Sequence, residues 1–439
     1  MTPGVYTIVI NGLFESWTTM IGTNMTNYLI KILQWGNVGF KKLVFSQSSK
    51  LNHLPGGSIT GAVIADFTSA YQMFWNCTSL NYIPANIFSE LTEITDFSSV
   101  FDGCTGLKSI GADLFANNTK AINFTKAFNH TDNLETVPPG LFDNCILAED
   151  FSQTFSWSGI SYIPAGLFDY CTEATEFNQL FYYCSKLSYI PSGLFANNTK
   201  VLLANGLFLG CTSLISIPEN LFASFSLCTT FSQVFYGCTK LTTVPATTFK
   251  NCSSATNMGS LFYSCTSFTS IPSGLFNDCV EALTFASAFY YCKFTSIPSG
   301  LFDYCTKVTS FETTFRRCIN LTTIPTGLFD NCPRVTSFKY AFYQSNKSGM
   351  TIPSGLFDYN VNVLTFERVF SNTQITAIPA GLFTNNTAVT TYAYAFYDCG
   401  WITSAVPELW NLSPVPTGTQ CFYNCTNASN YGDIPAGWK

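Results

Sequence analysis

The chain repeats itself, and the repeat constrains its fold more than any other feature. Residues 297–332 read IPSGLFDYCTKVTSFETTFRRCINLTTIPTGLFDNC: Ile297-Pro298 returns as Ile324-Pro325, Gly300-Leu301-Phe302 as Gly327-Leu328-Phe329, and Cys305 as Cys332. With the proline after each short "LTSI" run as a ruler, the marks fall at Pro84, Gly111, Pro138, Pro164, Pro191, Pro218, Pro245, Pro272, Pro298, Pro325, Pro353, Pro379 and Pro407, usually 27 residues apart. A period in this range signals a stacked-repeat architecture, and it overrides the division into domains that 439 residues would otherwise suggest.

Each unit is doubled inside. "GLFDYCTKVTSF" (300–311) and "TTFRRCINLTTI" (313–324) both carry Phe, then Cys three residues later, then an apolar and Thr/Ser run. Val308–Phe311 and Leu321–Ile324 are expected as brief strands, and "GLFDNC" and "YAFYQS" as single helical or 3₁₀ turns. None of these pieces buries its apolar side alone, because isolated turns and hairpins are marginal in water. Stacking them does, so the expectation is an α/β repeat solenoid of about 13 turns. At a strand spacing of roughly 4.8 Å, the steps from Pro84 to Pro407 would build a stack on the order of 58 Å long.

The ends depart from the repeat. Residues 1–50, which mix apolar residues with Lys31, Lys41 and Lys42, are expected to cap the N-terminal side. Residues 51–400 would form the solenoid, and 401–439, with Trp410, Trp438, Pro414 and Pro416, a C-terminal cap. No Gly/Ser-rich linker intervenes, so one elongated domain is expected.

The recurring unit, as in ATNMGSLFYSCTSFTSIP from Ala255 to Pro272, resembles the BspA-like class of leucine-rich repeats of bacterial surface proteins, over roughly residues 51–435. The resemblance implies a leucine-rich-repeat solenoid and a role in recognition or adhesion.

Eighteen cysteines would ordinarily raise a disulfide framework, but their columns argue against it. Cys77, Cys104, Cys184, Cys211, Cys238, Cys265, Cys292, Cys318 and Cys399 share one register; Cys145, Cys171, Cys252, Cys279, Cys305 and Cys332 share the other, where Asn118, Asn198 and Asn386 replace them. A small side chain that fills space and meets backbone groups satisfies both facts, so a ladder of free thiols is expected, with Cys421 and Cys425 the exception most open to pairing.

Catalytic material is thin. Two histidines, His53 and His130, sit near no CxxC pair, so no metal site is expected. The aspartates after "GLF" (Asp143, Asp169, Asp303, Asp330, Asp358) read as turn caps, because Ala196, Ala223, Lys250 and Thr384 interrupt their column. No phosphate loop appears, and neither enzyme activity nor a cofactor is expected. Only 10% of residues are charged, net charge is −6 and no Lys/Arg cluster exists, which argues against nucleic acid. No apolar run is long enough to insert in a membrane, and the start lacks the basic and apolar regions of a signal peptide.

What remains is binding. The position after the second-half Phe holds Trp75, Tyr182, Tyr236, Tyr263, Tyr290, Arg316, Tyr343, Tyr397 and Tyr423; the next adds Trp157, Tyr183, Tyr291 and Arg317. Such residues are enriched at recognition surfaces. The same rings one repeat apart could instead pack on each other and seal the turn. A Thr column (Thr242, Thr269, Thr295, Thr322, Thr376) supplies a second, nearly uncharged face. The expected partner is a cell-surface glycan or protein, met at a virion or bacterial surface; the alternative is a structural virion subunit acting through homo-oligomer or virion assembly.

Overall fold

The computed structural model describes residues 16–18, 28–35, 42–59, 67–345 and 349–439, so residues 1–15, 19–27 and 36–41 of the expected N-terminal cap lie outside the described residues. The chain divides into two compact units, Met1–Cys184 and Ser185–Lys439. The same coil builds both. Its strand content is minimal: the parallel pairs are β1 (Ser16–Thr18) with β2 (Lys42–Val44), and β3 (Tyr82–Ile83) with β4 (Ser109–Ile110). Elsewhere single parallel bridges link equivalent residues of successive coils. One such file runs Ser69, Asp96, Asn123, Asp150 and Glu176 in the first unit, and from Leu203 through Thr230, Asn257 and Thr284 to Thr417 in the second. A second file contains Ser296, Thr323 and Thr351, so both strands expected from the sequence are present as one-residue ladders.

The bridge residue also starts the next turn. Asn123 Oδ1 accepts from the backbone N–H of Thr125 at 2.8 Å, and Thr284 Oγ1 from that of Ala286 at 3.0 Å. These are Asx and Ser/Thr turns, which explains why Asp, Asn, Ser and Thr fill that column.

The segments expected as helical turns take another form. In residues 311–318, the N–H groups of Phe311, Thr313, Phe315 and Arg317 donate to carbonyls of the next coil at 2.8–3.1 Å. Those of Thr314, Arg316 and Cys318 close turns inside their own coil at 3.2 Å, and that of Glu312 reaches Ser310 Oγ. Every donor is therefore satisfied, half of them across coils. A helix would spend all of them internally and leave the stack unbonded. The cost is a residue at positive φ in each turn, Thr313 at 55° and Arg317 at 60°, and the pair recurs four residues apart in coil after coil. The hydrogen bond with φ > 0 at the third residue is the type II turn pattern. Among the described residues, the 3₁₀ turns are Leu409–Asn411, Tyr431–Asp433 and Ala436–Trp438, all beyond the last regular coils.

Phenylalanine fills the core in three files. In the second unit the second-half rings, from Phe208 and Phe235 through Phe289 and Phe315 to Phe422, stack at 5.3–5.9 Å. Phe276, Phe302, Phe329 and Phe357 form another file at 6.0–6.2 Å, and Phe285, Phe311, Phe338 and Phe366 a third at 5.7–6.1 Å. Rings of adjacent files meet edge-on or tilted, as Phe302 and Phe311 do at 4.8 Å and 55°. This combines stacking along the file with the tilted geometry that aromatic quadrupoles favour between files. The file ends at Phe422, which Trp410 and Trp438 cover at 6.3 and 6.5 Å. Gly418 lies so close under the Trp438 ring that a Cβ would be 2.1 Å from it.

All eighteen cysteines are free and buried, Cys421 and Cys425 included. In the second-half register each thiol donates to the carbonyl of a Phe one coil back: Cys104 to Phe74, Cys265 to Phe235, Cys318 to Phe289 and Cys425 to Phe396, at 3.0–3.1 Å. Asn118 and Asn360 do the same with their amides in the first-half register. Burial raises these thiols, that of Cys399 to about 11, so they are poor nucleophiles near neutral pH.

Candidate recognition surface

The aspartates after "GLF" belong to the turns. The Asp143 carboxylate folds back over Gly140, whose φ is 71°, so that a Cβ there would meet Oδ2 at 2.9 Å. Gly166 with Asp169 and Gly300 with Asp303 repeat the arrangement. No group of three His, Cys, Asp or Glu among the described residues is arranged to hold a metal ion.

The residues selected by sequence separate into two neighbouring files. In the first, Tyr236 stacks on Tyr263 at 4.5 Å and 4°, and Tyr263 on Tyr290 at 4.2 Å and 3°. The Arg316 guanidinium continues the pile, 5.5 Å from the Tyr290 ring and 4.9 Å from Tyr343. Arg368 lies 4.1 Å over Tyr394, and Tyr397 stacks on Tyr423 at 4.7 Å. Tyr236, Tyr263, Tyr290, Arg316, Tyr343 and Tyr397 are all half-buried, their faces occupied by one another. Burial, with the neighbouring Tyr290 and Tyr236 phenols, pushes the Tyr263 hydroxyl up to about 12. In the first unit Trp75 is tied to the Asp102 carboxylate, and Tyr182 lies 4.6 Å from Tyr183.

The second file is one residue further on, at the outer positive-φ position. Its occupants run Asn76, Gly103, His130, Trp157, Tyr183 in the first unit and Gly210, Gly237, Ser264, Tyr291, Arg317, Gln344, Asn372, Asp398, Asn424 in the second. Glycine takes this conformation freely; a residue with a Cβ gives up roughly 1–2 kcal/mol, less for Asn and Asp. Gly103, Gly210 and Gly237 prove that the coil accepts glycine there. His130, Trp157 and Tyr183 nonetheless stack on each other at 5.6 and 4.3 Å.

From Tyr291 to Asn424 the file lines a groove of about 600 Å³, bordered also by Ile319, Thr373, Gln374, Gly400 and Trp401. The coils at the groove differ in length. One residue, Gln374, separates Thr373 from Ile375, whereas Gly400 and Trp401 separate Cys399 from Ile402. Trp401, on the coil after the shorter one, stands 60% exposed. Tyr291 is exposed at 38%, with the Arg317 guanidinium 5.9 Å over its ring; the Arg317 Nε donates to Gln344 Oε1 at 3.0 Å, and Asn424 Nδ2 to Asp398 Oδ1 at 2.6 Å. Those bonds leave most of the guanidinium and the second carboxylate oxygen available. Sequence reading finds Tyr291 and Arg317 here and misses Trp401, Gln344, Asn372, Asp398 and Asn424. The signal it passed over is the polar run of the same column, Gln344, Asn372, Asp398 and Asn424, after Tyr291 and Arg317.

Comparison with known families agrees with the coil. Residues 81–245 match the BspA type leucine rich repeat region in six copies. The chain is a BspA-like leucine-rich-repeat protein. Residues 205–326 of this BspA-like chain also match a Mycoplasma protein family of unknown function, DUF285. No curated protein matches its sequence. Among solved structures, a chain of the Drosophila Toll–Spatzle complex is similar over 84% of this protein at 17% identity and a TM-score of 0.50, which supports the leucine-rich-repeat fold. The match spans about half, 47%, of that chain. A leucine-rich repeat protein from Bacteroides ovatus is 15% identical over 86% of this chain and 78% of its own, with a TM-score of 0.32. The functional domain of InlJ from Listeria monocytogenes, which includes a cysteine ladder, is 10% identical over 84% of this chain and 59% of its own, also at 0.32. No helix among the described residues is long and apolar enough to cross a membrane.

Proposed function

We propose that this BspA-like protein is a non-enzymatic recognition protein that holds a cell-surface glycan or protein in the Tyr291–Asn424 groove, at a bacterial or virion surface. The observation that carries this reading is the contrast in ring faces: the Tyr236–Tyr290 rings cover one another, whereas Tyr291, with Arg317 over one face, and the 60% exposed Trp401 border an open groove. Rigid amphipathic side chains beside unspent donors and acceptors are the composition of a binding surface. Among the described residues lining the groove, Asp398 is the single carboxylate and no histidine or lysine stands beside it.

Binding of the purified chain to intact gut-type bacterial cells tests the reading. The unmodified protein is expected to bind saturably, and Trp401→Ala to lose most of that binding. Failure of the unmodified protein to bind, together with concentration-dependent assembly in sedimentation, would assign the chain to a structural fibre or decoration subunit instead.

A further inference from the structure

Resting on that reading, we infer that the groove's ligand is an extended polysaccharide chain laid across successive coils, with sugar C–H faces on Tyr291 and Trp401 and hydroxyls on the polar side chains between them. Two observations point to this class, and a third supplies its test. The groove crosses six coils, from Tyr291 to Asn424, so at about 4.8 Å per coil it is roughly 24 Å long. That length suits a linear ligand.

Its lining is mostly uncharged and rich in paired donors and acceptors. Gln344, Asn372 and Asn424 offer amides, each able to give and accept, beside a single guanidinium, Arg317, and a single carboxylate, Asp398. A hydroxyl also gives and accepts, and a row of amides matches a row of hydroxyls. A protein partner would call for a central apolar anchor pocket, and Tyr291 and Trp401 are exposed rings on an open groove.

The third observation is conformational. All six coils of the groove carry a side chain at a position where Gly210 and Gly237 stand in earlier coils of the same unit. Tyr291, Arg317 and Gln344 share this conformation with His130, Trp157 and Tyr183 outside the groove, and none of them gains the local advantage that Asn and Asp have there, so glycine can replace the side chain without reshaping the coil. This supplies a test in which loss of function is separated from loss of fold, because Tyr291→Gly relieves the strain.

Binding of the full chain to intact gut-type bacterial cells is measured before and after periodate oxidation, after protease treatment, and in competition with protein-free polysaccharide extracted from the same cells. Tyr291→Gly and Trp401→Ala are measured beside it, with melting temperatures. The expected result is binding abolished by periodate, resistant to protease, and competed by the polysaccharide. Each variant should bind about tenfold more weakly with its melting temperature preserved. Binding that survives periodate and is lost on protease treatment overturns the polysaccharide and leaves the recognition reading standing with a protein ligand. Periodate-sensitive binding that both variants retain places the sugar elsewhere and overturns the groove. No binding to any cell removes both readings.

Discussion

Tyr290 and Tyr291 are neighbours in sequence and belong to different surfaces. Tyr290 lies flat between Tyr263 and the Arg316 guanidinium, a rung in a pile whose faces are spent on each other. Tyr291 sits one residue on, at φ 61°, and opens onto the groove. Periodicity alone cannot separate them, since both recur at the coil spacing. Both have an arginine one coil ahead, Arg316 and Arg317; what separates them is the residue one coil back, a stacked Tyr263 behind Tyr290 and Ser264 behind Tyr291. A regular row of aromatics on a solenoid is therefore first a stabilising seam.

The comparison can be broken at several points. Tyr263→Ala removes two stacked ring pairs and should lower stability by about 1–3 kcal/mol in denaturant unfolding while leaving cell binding intact. Its inner counterpart is Tyr392, which stands in a Phe file with its hydroxyl fully buried and without a hydrogen-bond partner. Tyr392→Phe should gain about 1 kcal/mol by the same measurement, because it removes an unsatisfied buried group.

Ionisation sharpens the contrast. Because the folded Tyr263 phenol is raised to about 12 from the ordinary 10, the folded state binds more protons between those values. Its contribution to stability is complete below pH 10 and is lost as pH rises through 12, so absorbance titration should show a late-ionising phenol that Tyr263→Phe deletes. The buried thiols follow the same sign: a thiol-specific reagent at pH 8 should modify none of the cysteines until the chain unfolds. The smallest stability effect belongs to the groove, where Tyr291→Gly should change stability by less than about 0.5 kcal/mol, since strain relief offsets the entropy of glycine.

Much of this was legible in sequence because repetition turns single residues into columns. The interchange of Cys with Asn118 and Asn386 already indicated a side chain that meets backbone rather than a cross-link, and the Sγ bond from Cys265 to the Phe235 carbonyl is that contact. The turns were less legible. "YAFYQS" has the composition of a helical turn, and only the need of thin coils to hydrogen-bond each other selects alternating turns with positive φ. The groove was hardest to see, because its lining changes residue type from coil to coil, from Tyr291 and Arg317 to Gln344, Asn372, Asp398 and Asn424.

The most direct test of the division between seam and groove measures two variants side by side, Tyr263→Ala and Trp401→Ala, each for thermal unfolding and for binding to intact cells. The account predicts a crossed result: Tyr263→Ala melts earlier and binds as the unmodified protein does, while Trp401→Ala melts unchanged and loses binding. A Tyr263→Ala protein that keeps its melting temperature and loses binding, beside a Trp401→Ala protein that binds normally, would contradict it and make the stacked tyrosines the recognition surface.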